Sequence, residues 1–421
     1  MMKVLIITES YPPKIFGGGE ISARNLAESL AQKKINTTVL TSYFSGLQRT
    51  EKKDNLRILR LLKTGSSPRK LSENIKREAF FPRSVKKELN ELLKKENFDI
   101  IHCLNNTSTL AVPEYEGISL AATINSYVNL CPKANLFYKE EKACTGCSPL
   151  KFVVCMMNSE YIGKQKLNFY LKYNPLLLIY IYARYIQRKN SLKKFNLLCR
   201  STFISEFVIK NNISEKKIGL EYNLFDPNIN ISKFSRLKKR LNNQIVITYI
   251  GSLEKIKGVD VLIRLYSKVD KKSNSKLLIV GDGSKKDSLI RLAENLGIKH
   301  RVIFTGRIEY EFIPYMFDQT DILAFFSKWP EPFSRVLMEG LYFGKPIIAT
   351  NKGGNSDAVI DNKNGFLIDS EKTIPEKLKV LIHNKKLRIK FGKESKKLYE
   401  NKFKKEKVIQ DVIDFYKEIT S

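Results

Sequence analysis

The chain has 421 residues, 43% of them hydrophobic and 28% charged, and a formal net charge of +31 at pH 7. This composition suits a globular protein, and the length exceeds the roughly 250–300 residues at which single cores stop growing, so we expect two domains. Six cysteines in this length exclude a disulfide scaffold, and the longest apolar tract, PLLLIYIYA, falls short of the ~20 residues of a membrane-spanning helix.

The first half of the chain predicts strands that alternate with helices. The opening KVLIITE is typical of a buried strand, and its apolar run is too short for a signal peptide, so we expect an intracellular, cytoplasmic protein. A glycine-rich loop, KIFGGGE, follows, and ISARNLAESLAQKK then has apolar residues at helical spacing. Further short strands are predicted at TTVLTS, FDIIHCL, SLAATIN and LLCRSTFIS.

The second half repeats this alternation. Strands are predicted at IVITYIG, KLLIVGDG, RVIFTGR, DILAFFS and KPIIAT, with helices between them. The polar, basic residues 225–244 predict a linker between an N-terminal domain, 1–224, and a C-terminal domain, 245–404. Residues 405–421 predict an amphipathic helix that packs back towards the N-terminal domain.

This alternation predicts an α/β fold of two Rossmann-like, doubly wound domains that face each other across a cleft. Ligands of such sheets bind at the carboxyl ends of the strands, so the chemistry should lie in loops that follow strands. Gly17, Gly18 and Gly19 let a backbone approach an anion ahead of a helix, or else form a plain turn. Lys257 in GSLEKIKG reaches a phosphate, or else is a solvated side chain.

The segment SKWPEPFSRVLMEGLYFGKPIIAT carries two glutamates in different settings. Prolines on both sides restrict the backbone around Glu331, and a helix predicted to begin near Phe333 carries Glu339 among apolar residues. The amides of Phe333, Ser334 and Arg335 would face an anion at the start of that helix. A buried carboxylate needs hydrogen-bond donors, which sugar hydroxyls supply, so the pattern fits a nucleotide sugar. It fits equally a solvated Glu331 and a Glu339 that caps buried backbone.

The same segment resembles a known family. EPFSRVLMEGLYFGKPIIATNKGG is similar to the E-x7-E segment of the retaining glycosyltransferases of family 4, which have the GT-B fold. YPPKIFGGGE, ISEFV, EYNLFD, GSLEKIKG, LLIVGDG, VIFTGRI and NGFLID follow in the order of the family's motifs. The resemblance covers nearly all of the chain and is densest over residues 245–369.

The resemblance implies a role for each matching position. Glu331 would contact the transferred sugar as a catalytic residue, and Glu339 would hold the ribose of the nucleotide. The other donor contacts would be Gly17, Gly18, Lys257, Phe333, Ser334 and Arg335 on the diphosphate and Arg307 near the base. The family retains anomeric configuration and needs no metal or other cofactor for transfer. Its leaving diphosphate helps to deprotonate the acceptor, so catalysis rests on positioning and on stabilising charge at phosphate.

The chain departs from the family at several of these positions. Ser252 stands where members often carry an Arg that pairs with Lys257 on the phosphates, so this site loses a bidentate donor. Asn125 and Ser126 stand where members often read His-Asp beside the donor sugar. We still place Asn125 with the catalytic residues and Ser252 with the donor-binding ones, and we expect an unusual sugar or acceptor. The exchanges at Ser334 and Gly340 are milder.

Four of the six cysteines cluster in sequence. Cys131, Cys144, Cys147 and Cys155 include the CxxC pair of CTGC, and their spacing is compatible with a four-thiolate structural zinc site. Redox chemistry and thiols without any metal are the alternatives. A zinc ion here would brace a loop over the acceptor side and would take no part in catalysis.

The basic charge is open to three explanations: genome-wide bias, adhesion to an anionic membrane face, or nucleic-acid binding, for which no motif is found. Residues 161–195 mix Lys and Arg with Tyr, Leu and Ile, which favours either a helix that lies on a membrane or a core helix with a solvated edge. The first would place the protein at the inner face of the plasma membrane.

The function expected from the sequence is sugar transfer in surface polysaccharide synthesis. The partners would be a nucleotide-diphosphate sugar carrying a hexose-type sugar, a glycan or lipid-linked acceptor and an anionic membrane surface, without nucleic acid. The alternatives are a sugar-nucleotide epimerase on the same fold and a basic nucleic-acid-binding protein.

Overall fold

A computed structural model describes residues 2–16, 18–65, 71–162, 165–166, 172–225, 244–269 and 273–421. The chain divides into two compact units, here called unit 1 (Met1–Leu224 with Lys405–Ser421) and unit 2 (Phe225–Lys404). The segment 225–244, predicted as a linker, lies outside the described residues except at its two ends. No helix in the described part of the chain is both long and apolar enough to cross a bilayer.

Unit 1 is built, over its described residues, on an eight-stranded sheet in the order β12-β11-β6-β5-β1-β2-β4-β3. All neighbours pair in parallel except the edge strand β3, which runs antiparallel to β4. The strands of this sheet are β1 Lys3–Ile7, β2 Asn36–Ser42, β3 Thr50–Lys53, β4 Leu56–Leu62, β5 Ile100–Cys103, β6 Ser119–Ile124, β11 Asn196–Cys199 and β12 Ile218–Leu220. Two small hairpins join β7 Phe137–Tyr138 to β8 Lys142–Ala143 and β9 Tyr161–Ile162 to β10 Gln165–Lys166.

The helices of unit 1 flank this sheet, and a last one closes the chain. They are α1 Gly18–Gln32, α2 Leu71–Leu93, α3 Pro149–Met157, α4 Pro175–Ser191, α5 Thr202–Lys210 and the C-terminal helix Lys405–Thr420. One sequence prediction is wrong here, because LLCRSTFIS is not a single strand. The strand ends at Cys199, and the side chain of Ser201 accepts a hydrogen bond from the amide of Ile204 and so starts α5.

A buried polar network ties the C-terminal helix to the sheet of unit 1. Hydrogen bonds join His102 Nδ1 to the Tyr416 hydroxyl at 2.6 Å and His102 Nε2 to the Thr123 hydroxyl at 2.8 Å. Thr123 in turn donates to Glu221, whose carboxylate lies 2.9 Å from Arg200, with both charged side chains almost fully buried. Burial and, secondarily, the Arg200 charge lower the pKa of His102 to about 3, so the ring is neutral at physiological pH.

Unit 2 contains, over its described residues, a six-stranded sheet in the order β15-β14-β13-β16-β17-β18, with every pair parallel. Its strands are β13 Ile245–Ile250, β14 Ser275–Val280, β15 Val302–Gly306, β16 Ile322–Phe325, β17 Ile347–Thr350 and β18 Gly365–Ile368. Its helices are α6 Val259–Tyr266, α7 Lys286–Asn295, α8 Ile313–Gln319, α9 Arg335–Tyr342, α10 Asn355–Ala358, α11 Ile374–His383 and α12 Lys385–Leu398.

Both sheets reverse their strand order at one place, and this fixes where a ligand can bind. In unit 2 the order reverses between β13 and β16, and in unit 1 between β1 and β5. Loops leave the sheet in opposite directions at such a point and open a crevice at the carboxyl ends of the strands. The central strands β1, β5, β13 and β16 are apolar and almost entirely buried, as strands inside a parallel sheet require. The expected sites are therefore the loops that follow these four strands.

Candidate functional site

In unit 2 the loops that follow β13 and β16 are packed directly on each other. The amide of Lys328 donates to the carbonyl of Ile256 at 2.9 Å. Gly258 has a left-handed backbone conformation, with φ +66°, and a Cβ at this position would collide with the carbonyl oxygen of Phe326. Glycine is therefore required at the end of GSLEKIKG, and its close approach holds Lys257 beside the second loop.

Glu331 is the centre of this arrangement. Its carboxylate oxygen Oε1 accepts three hydrogen bonds, from Lys257 Nζ at 2.6 Å, from Trp329 Nε1 at 2.7 Å and from the Ser327 hydroxyl at 2.9 Å. The residue is only 5% exposed. None of the hydrogen bonds found among the described residues goes to Oε2. One oxygen is thus fixed by three donors, and the other is left for a further donor.

The backbone of Glu331 is fixed as well. Its carbonyl accepts a hydrogen bond from the amide of Gly354 at 2.7 Å, and Glu331 forms an isolated parallel bridge with Gly353. Gly353 has φ +59°, and a Cβ there would collide with the Glu331 backbone. The loop after β17 therefore supports Glu331 from a second side.

Lys257 pairs with Glu331 in a largely buried setting. The two side chains are 19% and 7% exposed, and the ammonium also lies 5.9 Å from the ring centre of Phe325 and 5.7 Å from that of Trp329. Removing either charge would leave the other one buried, which is strongly unfavourable. An ammonium has three N–H donors, so Lys257 can hold Glu331 and an anionic ligand together.

Helix α9 begins beside this pair. The sequence placed its start near Phe333, but the helix begins at Arg335, with Ser334 in extended conformation before it. The side chain of Ser334 makes no capping hydrogen bond, so the first amides of α9 are not capped by it. The ring of Phe333 stacks on Phe403 at 5.4 Å between ring centres. The start of α9 therefore offers backbone N–H groups and the positive end of a helix dipole.

Glu339 lies inside α9 and is 2% exposed. The hydroxyl of Tyr310 donates to its Oε1 at 2.8 Å. Burial raises the pKa of Glu339 to about 7, while the Tyr310 hydrogen bond and the charge of Arg335 oppose that rise. The pKa of Glu339 is thus close to neutral pH, and its carboxylate has one hydrogen-bond donor among the described residues. It can accept further hydrogen bonds from a ligand.

The predicted site residues come from both units, and four of them adjoin within unit 2. Lys257, Glu331, Ser334 and Glu339 come from adjoining loops and helices of unit 2. Ser252 and Arg307 are exposed on loops of the same unit that follow β13 and β15, and the carbonyl of Ser252 accepts a hydrogen bond from Tyr249 at 2.9 Å. The remaining positions belong to unit 1, where Gly18 opens α1, Asn125 follows β6, and Gly17 lies outside the described residues.

Asn125 lines a polar pocket of about 140 Å³ at the carboxyl ends of strands in unit 1. Its side-chain amide donates to the carbonyl of Leu104 at 3.0 Å. Glu9, directly after β1, faces the same pocket and accepts a hydrogen bond from Thr64 at 2.7 Å. Burial raises the pKa of Glu9, against the charge of Arg77 and the Thr64 hydrogen bond.

Sequence reasoning missed the side chains that hold the two glutamates of unit 2. Ser327 and Trp329 lie within four residues of Glu331, so polar side chains flanking a buried acid were an available signal. Tyr310, which holds Glu339, is 29 residues away and only the fold brings it near. Glu9 was visible as an acid directly after a buried strand.

The four clustered cysteines of unit 1 surround one small cavity. Cys131, Cys144, Cys147 and Cys155 all line it, and all four are free thiols. In the described part of the chain no three His, Cys, Asp or Glu side chains are already arranged as a metal-binding group. The four cysteines of the predicted zinc site therefore line one cavity, but their thiols are not arranged as a complete coordination shell.

Comparison with known proteins finds similarity to glycosyltransferases. Residues 231–398 match the family described as Glycosyl transferases group 1. An uncharacterized glycosyltransferase of Methanocaldococcus jannaschii is 24% identical over 87% of this chain and 85% of its own length. The capsular polysaccharide biosynthesis glycosyltransferase CapM of Staphylococcus aureus is 23% identical over 77% of this chain and 91% of its own length.

Solved structures agree on the fold. Sucrose-phosphate synthase from Thermosynechococcus elongatus has a TM-score of 0.71 at 16% identity and covers 100% of this chain and 99% of its own. HepE from Anabaena, solved in complex with UDP, has a TM-score of 0.65 at 17% identity and covers 99% of this chain and 100% of its own. The predicted GT-B fold is confirmed, and the matched family model and both of these sequence relatives are of glycosyltransferases.

Proposed function

We propose that this protein is a retaining glycosyltransferase of family 4 that moves a hexose-type sugar from a nucleoside diphosphate sugar to a glycan or lipid-linked acceptor. The observation that carries the proposal is Glu331, with Oε1 fixed by three donors and Oε2 left for one more. A carboxylate held in this way can accept a hydrogen bond from a sugar hydroxyl without reorganising first. The similarity to a capsular polysaccharide biosynthesis glycosyltransferase supports a role in surface polysaccharide synthesis.

The neighbouring groups fit the other parts of a nucleotide sugar. The uncapped start of α9 and the ammonium of Lys257 suit a diphosphate, and the buried Glu339 suits the hydroxyl donors of a ribose. Arg307 would lie near the base, and Ser252 would contribute only a hydroxyl to the phosphates. The fold is shared with a protein solved with UDP, which makes a uridine nucleotide the first donor to test.

The proposed chemistry needs no metal ion for transfer. Lys257 and the amides at the start of α9 would stabilise the charge that develops on the leaving diphosphate. An oxygen of the leaving diphosphate would then take the proton of the acceptor hydroxyl. Departure and attack on the same face of the sugar retain the anomeric configuration. The acceptor would bind in the unit 1 pocket with Glu9 and Asn125, whose polar side chains suit hydroxyl groups. Transfer rates should therefore not depend on added Mg²⁺ or Mn²⁺.

The donor can be identified with the protein's own fluorescence. Trp329 is the single tryptophan of the chain, and its indole donates to Glu331, so a ligand at this site should change its emission. We expect one nucleoside diphosphate sugar of a broad panel to change the emission and raise the Tm, and Glu339→Ala to lose both effects. Glu371→Ala, which removes an exposed glutamate of the same unit, is the control. The proposal would be refuted if no nucleotide sugar of the panel binds, or if the one that binds is not transferred to any acceptor. Interconversion of the nucleotide sugar without an acceptor would indicate an epimerase.

We also propose that α4 and its surroundings rest on an anionic membrane. The apolar side chains of Leu176, Ile179 and Tyr180 are 77%, 66% and 56% exposed, whereas the helix buries only Leu178 and Tyr185. Arg184 and Arg188 of this helix pair with Glu78, so Lys189 and Lys193 near its end would be the cations for an anionic surface. The side chains of residues 161–171, part of the predicted membrane segment, lie outside the described residues.

Flotation with vesicles tests this surface. The protein should float with vesicles of phosphatidylglycerol and phosphatidylcholine at about 0.15 M salt and remain unbound with phosphatidylcholine alone. The double variant Leu176→Glu/Ile179→Glu should lose binding, because it removes apolar area and repels the anionic surface. Ile209→Glu, at a 57% exposed position of unit 1 outside α4, should bind like wild type. Equal binding by both variants would show that α4 is not the contact.

A further inference from the structure

The segment 131–159 of unit 1 forms a small substructure of a hairpin and a helix. It contains the hairpin of β7 and β8 followed by α3, which packs on α4. Phe152, Met156 and Leu178 form one buried hydrophobic cluster in this contact, and Leu136 and Phe137 are buried on the hairpin side. A cross-link between the hairpin and α3 would add to this apolar burial, as metal and covalent links do in small folds.

The cysteines are placed where such a link would act. Cys131 and Cys144 lie on the hairpin side, and Cys147 and Cys155 lie at the start and in the body of α3. All four line one cavity of about 10 Å³, the size of a single small occupant. Cys144 follows β8 directly, and its amide donates to the carbonyl of Leu136 at 2.7 Å, which fixes it beside the first strand. All four thiols thus belong to the lining of one cavity at the junction of hairpin and helix.

The turn that follows Cys131 has an unusual backbone. Ala134 and Leu136 are in left-handed conformation, with φ of +59° and +48°, which non-glycine residues seldom adopt. The amide of Ala134 donates to the carbonyl of Cys131 at 2.8 Å, which closes the turn, and the carbonyl of Leu136 accepts from Cys144. The turn therefore links the backbone of Cys131 to the hairpin that carries Cys144.

A buried cation points to the same place. Lys133 lines the cavity and is 1% exposed, and its ammonium donates to the carbonyl of Phe137 at 3.1 Å and to the Ser159 hydroxyl. Both partners are neutral, and none of the ion pairs found in the described part of the chain includes Lys133. A buried charge without a counter-charge is costly. Lys151, which also lines the cavity, adds a second positive charge. The described residues that line the cavity therefore include two positively charged side chains and no acidic one.

We infer that Cys131, Cys144, Cys147 and Cys155 bind one zinc ion that cross-links the hairpin to α3. Binding displaces the four thiol protons to solvent, and Zn²⁺ with four thiolates has a net charge of −2, which supplies the counter-charge for Lys133 and Lys151. Two of the thiols are hydrogen-bonded to backbone carbonyls in this structure. Cys144 Sγ donates to Gly146 at 3.1 Å, and Cys147 Sγ donates to Ser148 at 3.7 Å. Side-chain rotation is needed to draw them together, which is why no finished metal-binding group is present among the described residues.

Metal content tests the inference without any assay of sugar transfer. Protein purified without chelators from zinc-supplemented cells should carry about one zinc per chain. The double variant Cys144→Ala/Cys147→Ala should lose it. Cys103→Ala/Cys199→Ala, which changes the two buried cysteines of unit 1 outside the cluster, should keep it. Lys133→Met should weaken zinc binding about 10-fold or more, as for other groups that support metal ligands.

A second measurement decides the question if the cysteine variants do not fold. Wild-type protein stripped of metal should bind one equivalent of Co²⁺ and develop the intense absorption of tetrahedral cobalt–thiolate coordination. Zinc below about 0.1 per chain together with no cobalt–thiolate absorption would overturn the inference. A Cys144–Cys147 disulfide in freshly isolated protein would overturn it as well, and would indicate redox chemistry.

Discussion

Glu331→Gln is expected to lower kcat/KM for sugar transfer by about 100-fold or more, on the scale of losing one preorganised electrostatic contact at a reacting group. Glutamine has the same shape, so its oxygen can keep the donors of Lys257, Trp329 and Ser327 at the position of Oε1. Its NH₂ group then occupies the position of Oε2 and can only donate. A sugar hydroxyl that must donate there loses its acceptor.

The variant also leaves the ammonium of Lys257 without a counter-charge in a largely buried site. The loss should therefore appear in kcat, because the ammonium of Lys257 is no longer held in position to stabilise charge on the leaving diphosphate. Initial rates with the identified donor measure the effect, and Trp329 emission with circular dichroism checks that unit 2 is folded. Glu371→Gln, at an exposed position of the same unit, is the matched control. Activity within about 3-fold of wild type would remove Glu331 from the catalytic machinery.

The second large effect is a pH dependence of stability set by Glu339. Its pKa in the folded protein is raised to about 7 from the ordinary 4.5 of a glutamate, chiefly by burial. The folded state therefore binds more protons at this group than the unfolded state does between those two values. The free energy of unfolding should fall as pH rises through this window, by up to about 3 kcal/mol from this residue alone. The stabilisation is complete below pH 4.5 and lost above pH 7.

Glu339→Gln should abolish this contribution, because an amide does not titrate. Urea unfolding of unit 2, followed by Trp329 emission at pH 5 and pH 8, gives the difference between wild type and variant. Tyr310→Phe should enlarge the loss between pH 5 and pH 8, since the Tyr310 hydroxyl donates to the carboxylate and stabilises its charged form. Glu371→Gln should follow wild type. If Glu339→Gln and wild type show the same pH dependence, burial does not control this carboxylate.

This dependence has a functional consequence for the proposed donor site. At neutral pH the charged form of Glu339 is held in an apolar helix at a cost in stability. Hydroxyl donors of a ribose would stabilise that charged form. Nucleotide binding should therefore tighten as pH rises through 7, and Glu339→Gln should weaken it at pH 8 more than at pH 5.

Much of the fold was predictable because parallel strands buried on both faces appear as short apolar runs between helices. KVLIITE and IVITYIG are strands for that reason, with Val4 to Ile7 fully buried in the first. The prediction failed where a polar residue changes the local structure. LLCRSTFIS is apolar enough for one strand, but Ser201 caps a helix within it. Helix α9 begins two residues after the predicted Phe333, since Ser334 remains extended.

The candidate site divides in the same way. The sequence by itself indicated Glu331, Glu339 and Lys257, because two acids in fixed local settings and a basic loop after a strand are visible as patterns. The fold alone decided that Lys257, 74 residues away, donates to Glu331, and that Tyr310 donates to Glu339. It likewise placed the thiols of 131–155 and the buried Lys133 around one cavity. Local patterns encode the conformation and burial of single segments, whereas hydrogen bonds and charge pairs depend on which loops the sheet order brings together.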